Sequence, residues 1–298
     1  MDELVEFLQN QDVEFYRNKE LSKITSIGIG GEASLFVIPD NKKKFIRVIF
    51  FLTRSNLPFF IVGNMTNILP TDNKIHKVIV STRALNRLSF ENNLVYAECG
   101  VLFSKLILSA AENSLGGCEK LFGIPGTVGG MLAMNAGAYG DSISEHFIDA
   151  DVCNPRENTI TRLSRQELMF SYRDSEIRRQ KLIVIGARFY LVKKEKKETM
   201  EAINSVRQKR IDTQPIHSKS LGSVFKKCES HSASYLIDRC GLKGFSVGDI
   251  EVSDKHAGFF INNGSGVAKD FLKLCDIVKF KVKEKYGIVL SEEFEYLQ

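Results

Sequence analysis

Residues 121–140 read LFGIPGTVGGMLAMNAGAYG, a stretch with six glycines, one proline and no charged side chain. Glycine costs roughly 0.5–1 kcal/mol in the interior of a helix or strand, so a segment this rich in it is built for something to approach its backbone closely. Uncovered peptide N–H groups, with Thr127 or Gly126 opening a short helix whose N-terminus is partly positive, would cradle a phosphate. The spacing matches neither G-x-G-x-x-G nor G-x-x-x-x-G-K-[ST], which excludes the Rossmann and P-loop readings. A glycine-rich helix–helix or helix–sheet contact is the alternative.

Upstream, Phe59–Val62 is a continuous apolar run that ends at Gly63-Asn64-Met65-Thr66-Asn67, so a buried strand delivers a polar turn and a second candidate cradle. Strands are expected at 35–38, 78–81 and 94–98, with helices at 41–56 and 102–113. Residues 1–20 read as a short helix with Leu4, Phe7 and Leu8 on one face. Downstream come a strand at 147–152, a Ser164-x-x-Glu167 capping box opening a brief helix, the segment FSYRDS at 170–175, a strand at 182–192 and a charged helix at 195–210. The lysines at 193–197 mark a surface boundary near residue 200. In the last third Ser234 is expected to cap a helix running to Cys240, and 267–286 to form a long helix. Residues 288–290 with 294–297 are expected to complete a small sheet. This alternation predicts an α/β or α+β fold.

The 298 residues allow two or three modest domains. A hydrophobic content of 43% and a charged content of 26% are ordinary for a globular protein. The balance of 41 Lys+Arg against 36 Asp+Glu, a net +5, is too small to indicate nucleic acid and suits a small anionic ligand. Six cysteines occur without a C-x-x-C pair, which predicts buried free thiols in a reducing cytoplasm and no metal site. With no signal-like N-terminus and no long apolar run, no membrane association is expected.

With these residues in hand the chain resembles the UDP-N-acetylenolpyruvoylglucosamine reductase family. TSIGIGG, GNMTN, GIPGTVGGMLAMNAGAYG, FSYRDS, GSVFKK, LIDRCGLKGFSVGDIEVSDKHAGFFIN and GIVLSEEFEYL fall in that family's order. The resemblance implies an α+β fold, with a two-part FAD-binding region of the vanillyl-alcohol-oxidase-like type (1–75 and 76–200) and a C-terminal substrate lobe (201–298). It implies FAD as cofactor, NADPH as co-substrate, and reduction of UDP-N-acetylglucosamine enolpyruvate to UDP-N-acetylmuramate in peptidoglycan precursor synthesis, by a monomer.

The cofactor-binding residues so implied are Gly63, Asn64, Met65, Thr66 and Asn67 in the turn, with Gly123, Ile124, Pro125, Gly126, Thr127, Gly129, Gly130, Asn135, Ala136 and Gly137 in the glycine stretch. A diphosphate needs many N–H donors and a flavin ring needs an apolar slot, and both segments have that chemistry. By motif position Arg173, Ser223 and Glu293 are the catalytic residues and Tyr172 contacts substrate, while Lys227 and Lys219 are expected to restore charge at the substrate diphosphate. Hydride addition to an enol ether beside a carboxylate builds negative charge there, so a fixed cation (Arg173) and a proton donor (Ser223) are needed. The short connection after Arg173 is that of the family's loop-less type. The chain departs from the family at Met65-Thr66, where Gly-Ser is usual, at Thr213, where a lysine is usual, and at Gly28, where arginine is frequent. A paralogous flavoenzyme with another acceptor such as dioxygen, or a silent flavin- or UDP-sugar-binding protein, are the competing readings.

Overall fold

The structure is a computed structural model that describes residues 1–228 and 231–298. The chain packs as two units. One holds Met1–Arg17, Leu35–Asn64 and Lys77–Gln208, and the other holds Asn18–Ser34, Met65–His76 and Lys209–Gln298.

In the first unit, helix Lys42–Arg54 starts at Asn41, whose side chain accepts the Lys44 N–H at 3.0 Å. Its buried Phe45, Val48, Ile49 and Leu52 repeat every three to four residues, so one stripe enters the core. Helix Asp2–Asn10 buries Leu4 and Leu8 and lays Phe7 on Phe51, ring centroids 4.2 Å apart. The strand Phe59–Val62 runs parallel to Ile75–Ser81, with Phe59 opposite Val78 and Val62 opposite Ser81. Both belong to a four-stranded sheet in the order Glu14–Glu20, Glu32–Ile38, Ile75–Ser81, Phe59–Val62. A five-stranded sheet follows in the order Thr159–Ser164, Phe147–Asn154, Ile183–Tyr190, Leu94–Glu98, Leu88–Glu91, with antiparallel neighbours throughout. Helix Phe103–Glu112 and the short helix Val128–Ala133 contribute Phe103, Leu106, Val128 and Leu132 to the same core as Val95, Ala150, Ile185 and Phe189.

The second unit has its own core, with Phe225, Leu236, Phe260, Phe271, Leu274 and Val278 at its centre. An antiparallel sheet in the order Lys219–Ser223, Phe259–Asn262, Ile250–Val252, Ser246–Val247 supplies one wall. Helix Ala268–Tyr286 buries Phe271, Leu274, Val278 and Val282 and ends at Gly287, whose φ of 70° is the left-handed cap that glycine adopts without strain.

Several local expectations are corrected. The first twenty residues are a helix that stops at Asn10 and a strand, Glu14–Glu20, with Asp12 between them at φ 50°. The capping box at Ser164 forms its reciprocal bonds, Ser164 N–H to Glu167 Oε2 at 2.8 Å and Glu167 N–H to Ser164 Oγ at 3.4 Å, but no helix follows. Met169 turns left-handed at φ 39° and ends the segment. Helix Ala233–Arg239 is capped by Ser232, not Ser234, because the Ser232 hydroxyl accepts the Tyr235 N–H. Residues 288–290 form no strand, and Glu295–Leu297 pairs in parallel with Ile68–Pro70.

Candidate active site

Two sets of motifs gather, one in each unit. In the first unit the two glycine-bearing segments meet. Thr127 opens helix Val128–Ala133 with its hydroxyl accepting the Gly130 N–H. A Cβ placed on Gly63 would overlap Thr127 Oγ1 and stand 3.3 Å from Cγ2. Only glycine lets the end of strand Phe59–Val62 pass this threonine. The next residue secures the contact, since Asn64 Nδ2 donates to Pro125 O at 2.6 Å. Arg83 Nη1 donates to Asn64 Oδ1, which brings a guanidinium to this pair of loops. The sequence reading missed Arg83, which sits in an unremarkable STRALN segment.

The glycines serve two purposes. The amides of Val128 and Gly129 are spent inside the fold, on Val101 O at 2.8 Å and Cys99 O at 2.9 Å, so those two do not add to the donor row expected of 123–130. Gly129 lies flat on Cys99, where a Cβ would stand 3.0 Å from Cys99 Cβ; burial pushes that thiol up to about 12. Gly123 and Gly130 stay exposed. The end of the stretch, Gly137-Ala138, pairs with Asp141-Ser142 around Tyr139 and Gly140, both left-handed at φ 53° and 79°, the backbone of a two-residue hairpin turn. Asn135 is buried, with φ 40°, and its Oδ1 has no hydrogen-bond partner among the described residues. Open glycine backbone beside a buried polar atom awaiting a donor fits a large polar cofactor with diphosphate and heterocycle.

FSYRDS packs against this stretch. Arg173 is half-buried, has φ 54° and donates from Nη2 to Gly137 O at 3.0 Å. Its guanidinium lies 5.1 Å from the Tyr172 ring, and Tyr172 is exposed. A non-glycine residue held left-handed marks a position that the surroundings dictate.

The second unit brings together five pieces distant in sequence. Strand Lys219–Ser223 shifts register against Phe259–Asn262 between Ser220 and Ser223. Gly222 in that irregularity has φ 79°, so the bulge re-aims Ser223, which is exposed between half-buried Gly222 and buried Val224. Glu293 N–H donates to Val224 O at 2.8 Å, and Lys226 N–H to Ser291 O at 2.8 Å, which sets Glu293 beside the Ser223 turn. Asn67 ties in from the GNMTN turn, its Nδ2 donating to Glu293 O at 3.0 Å while its own carbonyl accepts the Glu295 N–H at 2.9 Å. Met65 is left-handed at φ 52° and its carbonyl accepts the Ser26 N–H. TSIGIGG joins through Ser26 Oγ to Ser220 O at 2.6 Å and Asn262 Nδ2 to Ile27 O at 2.9 Å.

The neighbouring Glu292 is engaged by Lys279 at 2.6 Å, so the two glutamates of SEE have different surroundings. Lys219 covers Gly28: a Cβ there would stand 2.9 Å from Lys219 Cδ and 3.5 Å from Nζ. A cation therefore occupies the space above the position where arginine was expected. Lys227 is exposed, three residues beyond Val224, and the Thr213 hydroxyl donates to Lys209 O at 2.7 Å at the end of helix Lys196–Thr213. In KHAGFFIN the half-buried His256 accepts the Gly258 N–H at Nδ1, 3.1 Å away, which leaves the proton of its neutral form on Nε2.

The family profile described as UDP-N-acetylenolpyruvoylglucosamine reductase, C-terminal domain, matches residues 214–297, and an FAD binding domain profile matches residues 33–164. UDP-N-acetylenolpyruvoylglucosamine reductase of Fervidobacterium nodosum is 38% identical over 98% of this chain and 94% of its own length. The same reductase of Thermotoga maritima is 41% identical over 93% of this chain and 96% of its own. The crystal structure of UDP-N-acetylenolpyruvylglucosamine reductase from Thermus caldophilus superposes with a TM-score of 0.80 at 28% identity, covering 96% of this chain and 99% of that one.

Proposed function

The chain belongs to the UDP-N-acetylenolpyruvoylglucosamine reductase family, and on that footing we propose how its residues carry out the reaction. It is an FAD-containing oxidoreductase of α+β fold that acts in peptidoglycan precursor synthesis, with NADPH as co-substrate. Among the described residues no helix is long and apolar enough to cross a membrane. Bound FAD, which the segments around Gly63 and Thr127 would hold, would supply the hydride-transfer chemistry that links NADPH to the enolpyruvyl double bond of UDP-N-acetylglucosamine enolpyruvate, with UDP-N-acetylmuramate as product.

The segments around Gly63 and Thr127 hold the cofactor, with residues 1–75 and 76–200 forming its two-part seat and residues 201–298 binding the sugar nucleotide. Arg173 supplies the cation that steadies charge building on the substrate carboxylate. Ser223 gives a proton to the carbon next to the one that receives hydride, and regains it from solvent. An ordinary hydroxyl is a poor acid, so its environment must lower the cost of that transfer; Glu293, bonded through its backbone to Val224, orients the substrate carboxyl and Ser223. Lys219 and Lys227 offset the diphosphate charge in place of the cations expected at positions 28 and 213. The protein works as a monomer.

The observation that carries this reading is the meeting of Gly63-Asn64 with Pro125 and Thr127, two glycine turns held as one cradle. Purified protein is expected to be yellow and to be bleached by anaerobic NADPH. Adding the enolpyruvyl sugar nucleotide should restore the colour. Recovery with dioxygen alone would overturn the assignment of the second substrate.

A further inference from the structure

FSYRDS is not simply adjacent to the glycine stretch; it is fastened to it at three points. Asn135 Nδ2 donates to Ser171 O at 2.8 Å, Arg173 Nη2 donates to Gly137 O at 3.0 Å, and Ser175 Oγ donates to Ala133 O at 2.9 Å. Between the first and last of these, Ser171 and Asp174 pair with each other, N–H to O at 3.0 and 3.3 Å. Arg173 rides at the tip of that closed turn with a left-handed backbone. The two anchoring side chains are costly to hide, since Asn135 is 8% and Ser175 0% exposed. A buried amide on a left-handed residue and a fully buried hydroxyl persist where the surrounding structure needs them.

Arg173 has five N–H donors on a flexible stem, and a cation acts on developing charge only if it is already in position. We propose that Asn135 and Ser175 are positioning residues that lock the Arg173 turn onto the residue 133–137 segment, so that the flavin seat and the cation move as one piece. Asn135 thus has two tasks, its Nδ2 holding the turn while its Oδ1 faces the buried surroundings described above. The inference rests on Arg173 being the cation of the reaction.

The test uses flavin-loaded Ser175→Ala, Arg173→Ala, the Ser175→Ala/Arg173→Ala pair and Asn135→Ala. Anaerobic stopped flow reads bleaching by NADPH and recolouring by the enolpyruvyl substrate separately, and hydrogen exchange reads the amides of 171–175. In Ser175→Ala the flavin spectrum and bleaching rate should stay within about threefold of the parent. Recolouring should slow about 10- to 100-fold, and exchange at 171–175 should quicken at least tenfold. In the Arg173→Ala background the same change should slow recolouring less than twofold further, because a positioning residue has nothing left to position. An unchanged exchange rate at 171–175, equal losses in both half-reactions, or a full additional loss without Arg173 would each overturn the proposal. Should Arg173→Ala leave recolouring intact, the role of Arg173 falls while hydrogen exchange still decides on the fastening. Asn135→Ala, whose Oδ1 belongs to the cofactor seat, is judged by hydrogen exchange at 171–175 alone, and takes the place of Ser175→Ala if that variant does not fold.

Discussion

Gly63→Ala is the most direct test of why this chain is glycine-rich where it is. Gly63 does not have a positive φ, so any cost comes from space alone. The added methyl would overlap Thr127 Oγ1 and lie 3.3 Å from Cγ2 and 3.4 Å from Cβ. Thr127 is 1% exposed and β-branched, so it cannot swing away freely. Rotating it gives up the bond to the Gly130 N–H, a cap worth about 1 kcal/mol. The overlap that remains costs about 1–3 kcal/mol as overpacking. Replacing glycine lowers the entropy of the unfolded chain, which returns about 0.4–1 kcal/mol. The net loss is therefore about 1–4 kcal/mol, and at about 2–4 °C per kcal/mol for a unit of this size the melting temperature should fall by roughly 2–16 °C.

Thr127 is the control. Thr127→Ala alone should cost about 1 kcal/mol. In that background Gly63→Ala should cost nothing or stabilise slightly, because the obstructing atoms have gone, and the two substitutions should couple by more than about 1 kcal/mol. Melting of the flavin-loaded and flavin-free forms, with the 280 to 450 nm absorbance ratio for flavin content, measures all four variants. Equal costs of Gly63→Ala in both backgrounds would show that Thr127 is not the reason for glycine at 63.

Ser223→Ala should leave bleaching by NADPH nearly unchanged and slow recolouring by about 10²- to 10⁴-fold; equal loss in both half-reactions would make the serine structural. Cys99, Cys118, Cys153 and Cys275 are buried and free, and burial pushes Cys99 to about 12 and Cys153 to about 11. A thiol reagent at mild alkaline pH should therefore reach at most Cys228 and Cys240 in the native protein, and a third fast-reacting thiol would contradict the packing. Burial, aided by Lys243, holds the His256 imidazole below its usual value. The unfolded chain then binds a proton below about pH 6.5 that the folded chain resists, so this contribution is intact above that pH and lost as pH falls, with a slope of at most about 1.4 kcal/mol per unit. Melting between pH 7.5 and 5.5 should show a shallower fall in His256→Asn; an unchanged slope would remove His256 as the cause.

What could be read in advance followed from local stereochemistry. Thr127 as a helix opener, the stripe Phe45-Val48-Ile49-Leu52 and the turn after Val62 are each decided by neighbours within a few residues. Strands at the margins of sheets were lost because they have little to alternate: Glu14–Glu20 and Thr159–Ser164 are mostly exposed and lie first in their sheets' order. The pairing of Glu295–Leu297 with Ile68–Pro70 left no local trace, and the sequence favoured the nearer partner at 288–290 instead. Family order named Arg173, Ser223 and Glu293, but it could not show what holds them. The resemblance named Asn135 for the cofactor, and only the fold shows its amide on Ser171. Ser175 carries no signal of its own within FSYRDS, and only the fold places its hydroxyl on Ala133. Chemistry is carried by residue type and survives in the sequence, whereas positioning is carried by contacts 36 and 42 residues apart, and these exist only once the chain has folded.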